Sequence, residues 1–358
     1  LGLLEFDPSI GAVGGRLIRP SGLLQEAGGI VWRDGSCFSY GADRGPEIGP
    51  CMFQRDVDYV SGAFLMTRRE LFEGLGRFDE ALAPAYYEET DYCLRLWRSG
   101  YRVVFDPRVL VHHYEFASGS KEAATALMRR NQAILVDRHR DVLRTQHMPA
   151  LPEYPLPTRS RDWDRLVGRA LVLVRRLPDS LGDPDQRRAA AVVRALEGAD
   201  WFVTVHPLAA EATGWDKVRT SLAWTVEVML GDDLTSLAHF LRDRAGYYDR
   251  AIVVGASSWA ALARDQPCAA PLAELGLVHD RYDGSELGDP AAAGLPLLGA
   301  SVLVLAPSEP AAERWREHKA LRVGVLGAAP SLDLPVTDPS WRRFAAQLGT
   351  FLADGAAG

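Results

Sequence analysis

Cysteine is scarce in this sequence: Cys37, Cys51, Cys93 and Cys268 are the four in 358 residues, and no two stand in C-x-x-C spacing. That excludes a disulfide framework and a zinc ribbon, and it suits a reducing compartment. Long apolar runs are missing as well. No stretch reaches the roughly 18 residues that a bilayer-spanning helix needs, and no signal-peptide pattern is visible. Positive charge has no excess: 40 Lys and Arg against 47 Asp and Glu leave a net charge of -7. That balance argues against a nucleic-acid backbone as the main partner. A cytoplasmic setting is expected. The basic pairs Arg68-Arg69 and Arg129-Arg130 leave two readings open, peripheral contact with a phosphate or membrane surface, or simply solvated faces.

What is present is globular material, 47% hydrophobic and 24% charged, in a length too great for one typical domain and comfortable for two. At 148–158 the run MPALPEYPLPT holds four prolines in eleven residues and reads as a semi-rigid linker. The expected organisation is a first domain over 1–145, a linker over 146–164, a second domain over 165–330 and a tail over 331–358. The opening segment reads as the end of a helix running into a strand, and because it starts on Leu1 the chain reads as cut there.

Within the first domain, 10–18, 28–32 and 58–67 read as strands, the last buried on both faces. A short helix is expected over 69–75, stopped at Gly76, and a longer one over 89–99, stopped at Gly100. A strand over 101–105, a turn at Asp106-Pro107 and a helix over 121–139 follow. The second domain alternates strands (170–174, 201–205, 251–254, 301–305, 321–326) with helices (185–196, 234–244, 311–318). That rhythm predicts a parallel sheet with right-handed crossovers.

The densest chemistry is AYYEETDYCLRLW, where Glu88, Glu89 and Asp91 crowd the first turn of a helix. Acidic residues there can serve only to stabilise the helix end, by about 0.3–1 kcal/mol. Three exceed what a cap requires, and their mutual repulsion would raise one pKa into the range of a general base. Downstream, His112 and His113 end a strand, and three readings stay open for them: metal ligands, pH-sensitive groups or packed residues. Trp97 reads as core.

The run of 60–120 resembles the acceptor half of family 2 glycosyltransferases, inverting enzymes of the GT-A fold. It carries their motif order through Val60-Ser61-Gly62-Ala63, the R-R-E-L-F run from Arg68, the G-x-F-D-E run ending at Glu80, the acidic motif up to Arg95, G-Y-R-V from Gly100, Pro107 and His113. The resemblance extends upstream through GAVGGRLIRPSGLLQEAGG and covers roughly 1–140.

The resemblance implies that a carboxylate deprotonates the acceptor hydroxyl as it attacks the sugar. Glu89 stands where such enzymes usually carry an aspartate, one methylene longer; it is the expected base, with Asp91 as substitute and Glu88 beside them. It implies that Ser61, Gly62 and Ala63 lie beneath sugar and acceptor, with Arg95 on the substrate side. It implies a divalent metal, Mn or Mg, with His113 or else His112 as a contact. A nucleotide-sugar donor and a glycan or glycoconjugate acceptor are the implied partners. The nucleotide pocket and Asp-x-Asp motif of such enzymes precede the matching region, so the chain is expected to lack them and to be inactive alone.

Residues 166–330 resemble more loosely the N-terminal Rossmann-like domain of family 4 glycosyltransferases of the GT-B fold. Pro178, Ser180, Gly182, Asp183 and Arg187 stand in an arrangement different from that family's loop. Gly182, Arg187 and Arg188 read either as acceptor-cleft residues or as helix-start packing. The fold class expected is therefore α/β, a partial GT-A mixed sheet followed by a Rossmann-like parallel α/β domain. Two rival readings stand beside the transferase. One is a non-catalytic binding or scaffolding remnant. The other is a Rossmann-type nucleotide-binding protein, opposed by the lack of a Gly-rich phosphate loop after any first strand.

Overall fold

Nine consecutive buried residues, Ile10–Ile18, form the strand β1, and everything in the first half of the chain is arranged around it. The structure is a computed structural model describing residues 1–114, 121–146, 166–209, 213–231, 236–262, 277–280, 303–306, 322–326, 332 and 338–354. A short helix α1 (Gly2–Phe6) feeds β1. Along one side β1 pairs in parallel with β7 (Arg102–His112); along the other it pairs antiparallel with β2 (Leu24–Glu26) and β6 (Met66–Thr67). With β5 (Arg55–Asp56) against β7, the result is a mixed five-stranded sheet. A hairpin of β3 (Gly29–Val31) and β4 (Cys37–Ser39) stands apart from it. Glycine in β1 is a matter of space: a Cβ on Gly14 would come within 2.4 Å of Val60, so the backbone approach excludes any side chain.

Two expectations fail in this unit. Residues 58–67 do not make one buried strand. After a bridge at Tyr59 the chain turns, with Phe64 N–H donating to Ser61 O at 3.0 Å, and only Met66–Thr67 pairs with β1. Apolar composition suggested a ladder, but the Ser61 amide donates instead to a side chain, described below. Nor does Asp106-Pro107 end a strand. β7 runs through it by a register shift against Gly14–Arg16, and Arg16 Nε donates to Pro107 O at 2.7 Å. A bulge is one place where proline's missing N–H costs a sheet nothing.

Helix α2 (Arg69–Gly74) ends at Gly76, whose φ is +87°. Helix α3 (Glu88–Arg98) buries Tyr92, Cys93, Leu94 and Leu96 completely, the helical spacing read from the sequence. Trp97 is part of this core, and its indole N–H lies 3.2 Å from both the Val57 and Asp58 carbonyls. Helix α4 (Lys121–Arg138) and the short α5 (Arg140–Leu143) complete the unit. The cluster from β1 to Leu143 is its core.

The chain divides into two compact units, Leu1–Asp164 and Arg165–Gly358. The proline-rich segment read as a linker, beyond Gln146, lies outside the described residues, as does the helix read at 311–318. In the second unit seven parallel strands are ordered β10-β9-β8-β11-β12-β13-β14: β8 (Gly168–Val174), β9 (Trp201–Pro207), β10 (Glu227–Val228), β11 (Arg250–Val254), β12 (Leu277–Asp280), β13 (Leu303–Ala306) and β14 (Arg322–Val325). Counted within the unit this is 3-2-1-4-5-6-7, with the order reversing beside β8. Helix α6 (Pro184–Glu197) starts on a capping box between Asp183 and Gln186. The supposed tail is a correction: its Pro339–Asp354 segment is a helix whose Trp341, Phe344, Leu348 and Leu352 join Ala189 and Val192 of α6 in the core. Those four positions recur at helical spacing, and packing on α6 buries them.

Candidate functional site

The first turn of α3 has no side-chain cap. Its N-cap, Tyr87, and the preceding Tyr86 both have left-handed φ, +74° and +75°. Such backbone is unfavourable for tyrosine and persists only where its surroundings impose it. Here α4 does so. Asn131, fully buried, directs its Nδ2 at the carbonyls of Leu82, Ala85 and Tyr86 at 2.8, 2.9 and 2.8 Å. Arg130 donates to Ala81 O and Ala83 O at 3.1 and 2.7 Å. The loop that presents the acidic turn is thus held from outside its own sequence.

The three carboxylates part company. Asp91 is buried and held on both oxygens: Arg95 Nε lies 2.8 Å from Oδ2 and His139 Nε2 lies 2.8 Å from Oδ1. Burial alone would raise its pKa, but His139 and Arg95 more than offset this and leave it lowered. Arg95 is itself committed, donating also to the carbonyls of Leu75 and Arg77. This triad ties α3 to the end of α4 and to the loop after α2.

Glu88 and Glu89 have no such partners; among the described residues no Lys, Arg or His pairs with either. Burial, then repulsion from Glu88, pushes the Glu89 carboxyl up from 4.5 to about 8. A helix end stabilises a carboxylate by about 0.3–1 kcal/mol, under one pKa unit, so desolvation decides the outcome here. Crowding contributes, but in second place. Thr90 Oγ1 stands 3.5 Å from Glu89 Oε1, and Cys37 Sγ lies 3.9 Å from Thr90 Oγ1.

Above Glu89 lies the turn at Ser61. Gly62 and Ala63 are exposed, and a Cβ built on Gly62 would stand 3.7 to 3.9 Å from the Glu89 side chain, ordinary contact with nothing to displace. Close packing therefore does not explain this glycine, in contrast to Gly29, where a Cβ would fall 2.0 Å from the Tyr59 ring. A glycine at 62 puts no side chain over Glu89. The structure thus brings together Glu88, Glu89 and the Ser61–Ala63 turn, and it turns Asp91 and Arg95 toward each other.

A fourth acid, unforeseen in sequence, sits below. Glu26 on β2 is 5% exposed; it accepts from Ser61 N–H at 3.1 Å and Ser39 O–H at 3.0 Å. Burial raises it to about 7. An acid inside the apolar stretch LLQEAGGIV was the available signal. Asn131, in a helix interior where asparagine is a poor former, and His139 were legible as types but not as contacts.

Among the described residues neither His112 nor His113 pairs with Glu26, Glu88 or Glu89. His112 is exposed at the end of β7, and His113 Nδ1 lies 2.8 Å from Gln25 Oε1. Among the described residues no three His, Cys, Asp or Glu side chains converge as a metal site, so they do not by themselves make up the divalent-metal centre that the resemblance implies. Of the second unit's candidates, Arg188 is buried, 4.9 Å above the Phe344 ring and donating to Leu326 O at 3.3 Å. Arg187 donates back to Gly182 O. Both contacts are packing at the start of α6. No described helix is long and apolar enough to cross a membrane.

No family model matches the chain. It is 34% identical over 121 residues to the O-antigen biosynthesis protein RfbC of Myxococcus xanthus, covering 32% of this chain and 9% of that protein. To an N-acetylglucosaminyl-diphospho-decaprenol L-rhamnosyltransferase of Mycobacterium tuberculosis it is 33% identical over 89 residues, 24% of this chain and 29% of that enzyme. An uncharacterized Sinorhizobium fredii protein, y4gI, is 27% identical over 123 residues, covering 33% and 14%. The matches span less than a third of the length of each of these relatives. At this low identity, over about a third of its length, the chain is related to glycosyltransferases.

Proposed function

We propose that the first unit is the acceptor-side part of an inverting glycosyltransferase and that Glu89 is its general base. One observation carries the reading: among the described residues Glu89 has no cationic partner, its carboxyl is pushed up to about 8, and a glycine lies over it where a side chain would fit. A base that must take a proton near neutrality needs that proton affinity. In the proposed step Glu89 accepts the proton of an acceptor hydroxyl. The freed oxygen bonds to the anomeric carbon, and the bond from that carbon to the nucleotide diphosphate breaks on the opposite face. The Glu89 carboxylic acid then returns the proton to solvent and is a carboxylate again. The Ser61–Ala63 turn lines the acceptor's approach, while Asp91 and Arg95 hold the helix rather than touch the sugar.

A glycan or glycoconjugate acceptor and a nucleotide-sugar donor accord with the names of the partial relatives. The mixed sheet is read as GT-A-like. The second unit's strand order supports a Rossmann-like reading of the GT-B type, and strand order alone assigns it no activity. The test is the variant Glu89→Gln in the protein that carries this sequence, assayed for transfer to prenyl-diphosphate-linked acceptors. Turnover is expected to fall by ~10²-fold or more, with the wild-type rate declining below about pH 8 as Glu89 protonates. Near-normal turnover of the variant overturns the assignment.

A further inference from the structure

Three buried aspartates in the first unit face cations. Asp56 faces Arg102 at 2.6 Å, Asp91 faces Arg95 and His139, and Asp106 faces Arg108 at 2.8 Å. That is the expected pattern, since an unpaired charge away from water is costly. Glu26 departs from it. Its two oxygens are met only by neutral donors, one from the Ser61 backbone and one from the Ser39 hydroxyl, and no described cation pairs with it.

Its surroundings are themselves titratable and uncharged or acidic: Cys37, Tyr59, Glu89 and Cys93 all feel its charge. The position is specific. β2 meets β1 there through a register shift, and the Ser61 amide, which a continuous strand would spend on a ladder, is free for the Glu26 carboxylate. Gly62, the next residue, is the one that lies over Glu89.

We propose that Glu26 is a positioning residue, which pins the Ser61–Gly62 turn above Glu89 and adds its charge to that of Glu88 around the base. This rests on the reading of Glu89 given above. Two consequences separate its parts. As a hydrogen-bond acceptor Glu26 fixes the turn, a role that a glutamine Oε1 keeps and an alanine loses. As a like charge it raises the proton affinity of Glu89, a role lost in both. Because the two acids interact, they titrate as a coupled pair.

The experiment is done on the full chain with carbon-13 carboxyl-labelled glutamate, the Glu89 signal being assigned from Glu89→Gln, together with hydrogen exchange at Ser61 N–H. In Glu26→Gln the Glu89 midpoint is expected to move down while Ser61 exchange stays as in the wild type. In Glu26→Ala the midpoint moves down and Ser61 exchanges about fivefold faster or more, the effect of losing one hydrogen bond. An unmoved Glu89 midpoint in Glu26→Gln overturns the electrostatic role. Unchanged Ser61 exchange in Glu26→Ala overturns the positioning role. If Glu26→Ala does not fold, Glu26→Leu takes its place with the same two outcomes. None of these readouts uses turnover, so an active Glu89→Gln enzyme would sink the base assignment without touching this one.

Discussion

At the scale of single residues the site is defined by which carboxylates have no cation beside them among the described residues. Gly62→Ala adds one methyl with room to stand 3.7 Å from Glu89. Stability should change by no more than ~0.5 kcal/mol, while turnover falls about tenfold as the methyl displaces the acceptor from the base. Melting curves and kcat on one preparation check both halves; equal loss in both would return Gly62 to a packing role. The acids also make a pH prediction. Glu26 and Glu89 are raised in the fold from 4.5 to about 7 and about 8. Between about 4.5 and 8 the unfolded chain has released protons that the folded chain retains, so stability declines as pH rises through that window. Asp91, lowered by His139 and Arg95, works in the other direction and loses its contribution as pH falls. Glu89→Gln should therefore melt a few degrees above wild type at alkaline pH and close to it below about pH 5, read by fluorescence melts across pH.

At the scale of elements, the site depends on α4 gripping the loop before α3. Asn131→Ala leaves the Leu82, Ala85 and Tyr86 carbonyls without their shared donor and should cost about 2–3 kcal/mol. Asn131→Asp should cost more, since it sets a carboxylate against three carbonyl oxygens. Denaturant titration ranks the pair, and equal stabilities would refute the grip. Much at this scale was legible in the sequence. The spacing of Tyr92, Cys93 and Leu96 drew α3, and Gly76 and Gly100 marked where helices stop. Helical period and turn chemistry are local properties. The contacts that make the site are not: His139 reaches Asp91, and Glu26 reaches Ser61, across distances in sequence where no pattern constrains pairing. The 58–67 segment was misread for the same reason, because its apolar composition cannot show that a side chain claims the Ser61 amide.

At the scale of the whole molecule, each unit has a core of its own. Leu348, 1% exposed in the helix Pro339–Asp354, tests the second. Leu348→Ala should destabilise the second unit by about 2–5 kcal/mol. Calorimetry decides it; an unchanged melting transition would remove Leu348 from that core. The alternating rhythm announces the parallel sheet of this half, whereas the helix at 339–354 is written in the apolar period of Trp341, Phe344, Leu348 and Leu352.

The parallel pairing of Ile10 with Arg102 and Ile18 with His112 bears on how the first unit is made. Its central partners are separated by some ninety residues of chain, so β1 leaves the ribosome long before β7 exists. At synthesis rates of about 5–20 residues per second a strand whose nine residues are all destined for burial waits several seconds without its mate. During that interval β1 is the segment a chaperone would be expected to cover, and slowing translation between the two strands should lower the yield of native protein.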